Sequence, residues 1–137
     1  MSMTPNSLIT PQAPVIAIAS LVTPTAITSR ANSPNATGLT ALLPTSANGK
    51  RVDWLRLKSK ASSLAGLLFV WKYDGTTAFL FDELPITAVP SPSNTLPAFT
   101  SDVSYTALGM NLQGAFKWFV SVTVSQDMNV FAMGGDY

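Results

Sequence analysis

Seven carboxylates and eight cations are all the charged side chains this 137-residue chain has for chemistry, because it contains no histidine and no cysteine. That alphabet removes Ser-His-Asp catalysis, cysteine nucleophiles, imidazole or thiolate zinc sites and disulfides. What survives is a carboxylate pair flanking a glycosidic bond. The acids are Asp53, Asp74, Asp82, Glu83, Asp102, Asp127 and Asp136. Asp82 and Glu83 are adjacent, so on a strand they point to opposite faces and cannot flank one bond. Asp74 and Asp127 have the residue type that turns favour, and no Asp-x-Asp spacing marks a calcium loop. The expectation is a protein that is not an enzyme and carries no cofactor or metal.

The cations are more informative. Lys50, Arg51, Arg56, Lys58 and Lys60 fall within eleven residues. If that stretch is a strand, Lys50, Arg56, Lys58 and Lys60 share parity and form a positive stripe interrupted by Val52 and Trp54. Such a stripe suits a solvated or lysine-guarded edge strand, or one that docks on an acidic protein surface with Trp54 at the contact. It lacks the broad basic groove and paired stacking rings of nucleic-acid binders. A net charge of +1 provides no long-range field toward nucleic acid or an acidic membrane. Trp71 and Trp118 belong to the most apolar alternations and are expected in the core. Were Trp54, Trp71 and Tyr105 exposed in one plane, they would instead form a sugar-stacking platform.

These residues must be positioned by strands. Asn48-Gly49 precedes the run Lys50–Lys58, and Asp74-Gly75 divides Leu67–Tyr73 from Thr77–Leu84 as a tight hairpin. Both faces of that hairpin are apolar, so its strands either lie under other elements or present one face to another protein. Phe116, Trp118, Val120, Val122 and Val124 alternate with mostly polar residues, and Gln126-Asp127 turns this strand into Met128–Met133. Pro85, Pro90, Pro92 and Pro97 imply a long connection over Ile86–Thr100.

Upstream, residues 1–35 are rich in Pro, Thr and Ser and read as an extended N-terminal arm, with one strand near 15–22. A weaker strand is expected over Leu39–Leu43. Residues 36–137 are then an all-β, single jelly-roll-like sandwich of about eight strands. No basic residue precedes Arg30 and the run Ala13–Ala19 is short, so neither a signal peptide nor a membrane span is expected. Charged residues make up only 11% of the chain, under half the usual quarter, which suggests that part of the surface is covered by a partner.

The string Phe69-Val70-Trp71-Lys72-Tyr73-Asp74-Gly75-Thr76-Thr77, the segment Leu80-Phe81-Asp82-Glu83-Leu84-Pro85-Ile86, the Pro90-Ser91-Pro92-Ser93 linker and the ending Asn129–Tyr137 resemble jelly-roll cement, or head-decoration, proteins of tailed bacteriophages. The resemblance spans about the last two-thirds of the chain and rests on turns and apolar alternations. It implies a structural virion protein, made in the bacterial cytoplasm, that joins the exterior of an assembled capsid and clamps neighbouring major capsid subunits, often as a dimer. On that reading Lys50, Trp54, Arg56, Lys58 and Lys60 would meet the capsid. Self-association would use an apolar strand face including Leu68, Val70, Leu80 and Phe119. A carbohydrate- or receptor-binding module of a tail or virion surface is the alternative.

Overall fold

The computed structural model describes residues 13–43, 46–105, 111–114 and 116–136. Ten strands are found among them: β1 (Ala13–Leu21), β2 (Ser33–Pro34), β3 (Thr40–Leu43), β4 (Ser46–Ser59), β5 (Gly66–Tyr73), β6 (Thr77–Ile86), β7 (Thr100–Ser104), β8 (Asn111–Gly114), β9 (Lys117–Val122) and β10 (Met128–Asp136). One sheet runs β1-β10-β4-β7, with β8 lying end to end with β7 along the same side of β4. The other runs β2-β6-β5-β9-β3. The strand pairs are antiparallel, and one set of them is nested, β1 with β10, β3 with β9, β4 with β7 and β8, and β5 with β6, while β10 with β4, β2 with β6 and β5 with β9 join this nest into two sheets. Nesting of this kind is one long hairpin wound around a core, the jelly-roll arrangement.

Period-2 alternation explains how the layers close. Leu55, Leu57, Val130, Ala132, Leu68, Val70, Trp118, Val120 and Val122 point between the sheets and are almost fully buried. The two sheets also account for the apolar hairpin predicted around Asp74-Gly75. Its inward residues, Leu68 and Val70, join this core, whereas Phe69 and Trp71 point outward on the far side. There they are covered by the chain's own residues 27–39, through Ile27, Ala36 and Leu39.

That covering strap is pinned at both ends. The Ile27 amide donates to the Val122 carbonyl at 2.8 Å and the Asn35 amide to the Thr76 carbonyl at 2.7 Å. Between β2 and β3 the chain reverses through Asn35 and Ala36, both left-handed with φ of 56° and 52°, a backbone that costs an alanine about 1–2 kcal/mol. Ala36 is nonetheless buried against Phe69 and Trp71. At the hairpin itself, Gly75 has φ of 102°, and the Asp74 carboxylate accepts from the Thr76 and Thr77 amides at 2.9 and 2.8 Å. These contacts hold the carboxyl below the usual range, Thr77 contributing most.

Candidate docking face

The outward side of the β1-β10-β4-β7 sheet is built in rows by strand register. Ile16, Met133, Trp54 and Ser104 stand side by side across the four strands, and Ile18, Phe131, Arg56 and Asp102 form the next row. Ser20, Asn129, Lys58 and Thr100 form the third. The face is therefore graded from apolar to polar along the strands and from apolar to ionic across them. Ile16 is 67% exposed, Ile18 58% and Trp54 45%. No described segment of the chain covers them in the way the strap covers Phe69 and Trp71.

Four of the five residues expected to contact a capsid lie on or beside this face; of its three cations Arg56 is neutralised by a carboxylate, while Lys58 and Lys60 donate to neutral oxygens and keep their charge. Arg56 forms a two-pronged ion pair with Asp102, at 2.6 and 2.8 Å. That pair raises the guanidinium's pKa and holds the Asp102 carboxyl below its usual range, the hydrogen bond being the main cause for both. Lys58 donates to the Thr100 hydroxyl at 2.8 Å and Lys60 to the Ser20 hydroxyl at 2.8 Å. Trp54, with the two isoleucines, is thus the main apolar contact this face offers.

Lys50 does not share the stripe. Between Val52 and Trp54 the ladder with β10 shifts by one residue, so that Gly134 faces Val52 while Met133 faces Trp54. The extra residue, Asp53, inverts the parity of everything before it. Val52 consequently stays in the core, and Lys50 turns to the same side, only 8% exposed. Gly134 makes this bulge possible, since a Cβ there would lie 1.7 Å from the Arg51 carbonyl oxygen. Asp53 in turn accepts an ion pair from Arg51 at 2.9 Å.

The four residues expected on one self-association face are divided between two layers. Leu68 and Val70 are fully buried between the sheets and cannot meet a partner. Leu80 and Phe119 lie on the opposite side of their sheet, partly buried with Trp71 beneath the strap. A bulge in β6 at Phe81, where Val70 faces Asp82 but Trp71 faces Leu80, helps separate these sets.

Other polar groups have structural partners. Trp71 is 1% exposed and its indole nitrogen donates to Ser121 at 2.9 Å, which removes it from any exposed sugar platform. At one end of the core the Tyr105 hydroxyl donates to Asp82 at 2.6 Å, and Tyr105 stacks edge-on against Trp118. Burial, aided by Asp82, pushes the Tyr105 hydroxyl pKa upward. Lys72 lies over the Phe81 ring at 4.7 Å, and burial lowers its ammonium pKa. Glu83 points the other way, to Arg30, which also covers the Phe69 ring at 5.4 Å. Between the strap and Trp71 lies a cleft of about 200 Å3, with no charged residue among those lining it. Among the described residues no cluster of acids is placed to hold a metal ion.

The residues missed in the sequence are Ile16, Ile18, Phe131 and Met133. Their signal was present in β1, where Ile16 and Ile18 alternate with the small Ala17 and Ala19. The small residues face inward at an edge where β1 approaches β3, and the large ones face out. No protein-family model, no curated protein and no solved structure matches this chain.

Proposed function

We propose that this is a structural docking protein that binds another protein surface through the outer face of the β1-β10-β4-β7 sheet, and that its target is the exterior of an assembled phage capsid. The observation carrying the docking role is the exposed apolar group of Ile16, Ile18 and Trp54, each 45% exposed or more. An apolar group rimmed by an ion pair and hydroxyl-bound lysines has the make-up of a protein interface, with an aromatic anchor and a polar edge. The capsid as target rests on the resemblance carried by the Asp74-Gly75 hairpin, the Pro-Ser linker and the C-terminal strand. A cement protein stabilises a shell because it binds the assembled lattice and not free subunits, and many weak contacts around that lattice accumulate.

A glycan-binding role is less well supported, because Trp71 and Tyr105, the other rings of a sugar-stacking platform, are 1% and 3% exposed and leave Trp54 as a lone plate on this face. The test is co-sedimentation with expanded heads of tailed phages, in parallel with unassembled capsid subunits and a glycan array. Retention on heads but not on subunits is expected. Glycan binding without head retention would overturn the proposal.

A further inference from the structure

Natural edge strands are protected against pairing with other chains by lysines, bulges, inward charges or coverage. β1 has few of these, although β3 of the other sheet approaches it on its inner side. Its nine residues, Ala13–Leu21, include no charge, its ladder with β10 runs without a register shift, and among the described residues no strand pairs with it on the side away from β10. Pro14 guards one end alone. Arg56 and Lys58 lie on β4, two strands in; Lys60 reaches the edge at one point, donating to Ser20 near its C-terminal end at 2.8 Å.

We propose that β1 is a self-pairing edge, joining two copies of this chain antiparallel across a two-fold axis at Ala17. Charge selects a second copy as the occupant, since an uncharged strand meets itself without opposing like charges, and the Lys60 ammonium at Ser20 falls opposite Pro14 of the other copy, which keeps the two lysines at opposite ends of the seam. The register follows from the side chains. Centring on Ala17 sets Ile16 of one copy opposite Ile18 of the other, on the same outer face, and makes one apolar ridge of four isoleucines. That ridge is continuous with Phe131, Met133 and Trp54 of each copy, so the dimer has a single sheet with twice the width of docking face. The seam is about 30 Å long and about 10 Å deep, roughly 600 Å2 counted over both copies. This is below the 1,200–2,000 Å2 of a standard stable interface, so the dimer is weak and exchanges in solution.

The absence of native cysteine makes the test clean. Ile16→Cys and Ile18→Cys chains, each altered at an exposed position, are prepared separately and then oxidised alone and mixed, at about 500 µM, a concentration suited to weak association. Paired as proposed, the mixture brings unlike thiols directly opposite. Each variant alone holds its thiols two residues out of step, about 8 Å apart at the backbone and beyond bridging distance. Covalent dimer is expected at least fivefold more abundant in the mixture than in either variant alone. Equal cross-linking in all three samples, or none in the mixture, overturns the proposal. A chain lacking residues 1–12 is run alongside. Mixture-specific dimer in that chain but not in the full chain would show that the N-terminal segment occupies the edge, which also overturns it. No capsid is present, so the outcome is independent of the docking proposal.

Discussion

The two outer faces of this sandwich are made from similar residues and treated in opposite ways. On the β2-β6-β5-β9-β3 side, Phe69 and Trp71 are almost completely buried because residues 27–39 fold back over them. On the β1-β10-β4-β7 side, no described segment gives Ile16, Ile18 and Trp54 such a cover. Burying an aromatic or branched side chain stabilises a fold by about 1.5–3 kcal/mol, so one face contributes to folding while the other holds comparable apolar area outside it. Large apolar residues left exposed as a group, where the chain has elsewhere used a strap to cover the same kind of surface, mark a contact surface.

The sharpest way to break that contrast is to truncate the covered face. Trp71→Ala removes a ring with 1% exposure and leaves the Ser121 hydroxyl without its indole donor. A loss of about 3–5 kcal/mol is expected, measured by urea unfolding followed by circular dichroism. A loss below about 1 kcal/mol, within the range of ordinary surface and mild substitutions, would mean that the strap does not seal this face and that the two sides are equivalent.

Much of the architecture was legible in the sequence, for identifiable reasons. Asp74-Gly75 encodes its own turn through local hydrogen bonds, and Trp118, Val120 and Val122 encode burial by strict alternation. Trp54 stood apart because of the cations beside it. The cover over Phe69 and Trp71 was not legible, since Ile27 and Ala36 reach them from more than thirty residues away and no local period announces it. Nor was the inward turn of Lys50, because a single bulged residue at Asp53 reverses parity without changing composition; its trace is the glycine at 134 on the opposing strand. The neutralisation of Arg56 was hidden for the same non-local reason, as its partner Asp102 is 46 residues away.

A smaller effect, common to both sheets, comes from acid. Asp74 at the hairpin that anchors the strap and Asp102 on the opposite sheet both titrate below the usual carboxylate range, through the Thr77 and Thr76 amides and through Arg56 respectively. A carboxyl whose folded-state pKa is depressed adds stability that is present above about pH 4 and is lost as pH falls toward the folded value. Stability should therefore decline between about pH 5 and pH 2, and Asp74→Asn and Asp102→Asn should each flatten part of that decline. Equal slopes in wild type and both variants would remove these carboxylates from the account. Since both groups are exposed, the effect is modest beside that of Trp71.

The smallest expected effect on stability is the most telling about function. Trp54→Ser removes an aromatic ring as large as that of Trp71, yet from a residue 45% exposed whose row neighbours are Met133 and Ser104. Replacements at such surface positions usually change stability by no more than about 0.5 kcal/mol. An aromatic anchor at the centre of an interface, by contrast, typically costs 2 kcal/mol or more when truncated, which is over tenfold in affinity. The variant should unfold at nearly the wild-type urea midpoint and lose at least tenfold in retention on phage heads. If Trp54→Ser instead unfolds as readily as Trp71→Ala, the ring is part of the folding core and the contrast between the faces is lost. If it folds normally and still binds heads at full strength, the contrast stands but the docking surface lies elsewhere on the molecule.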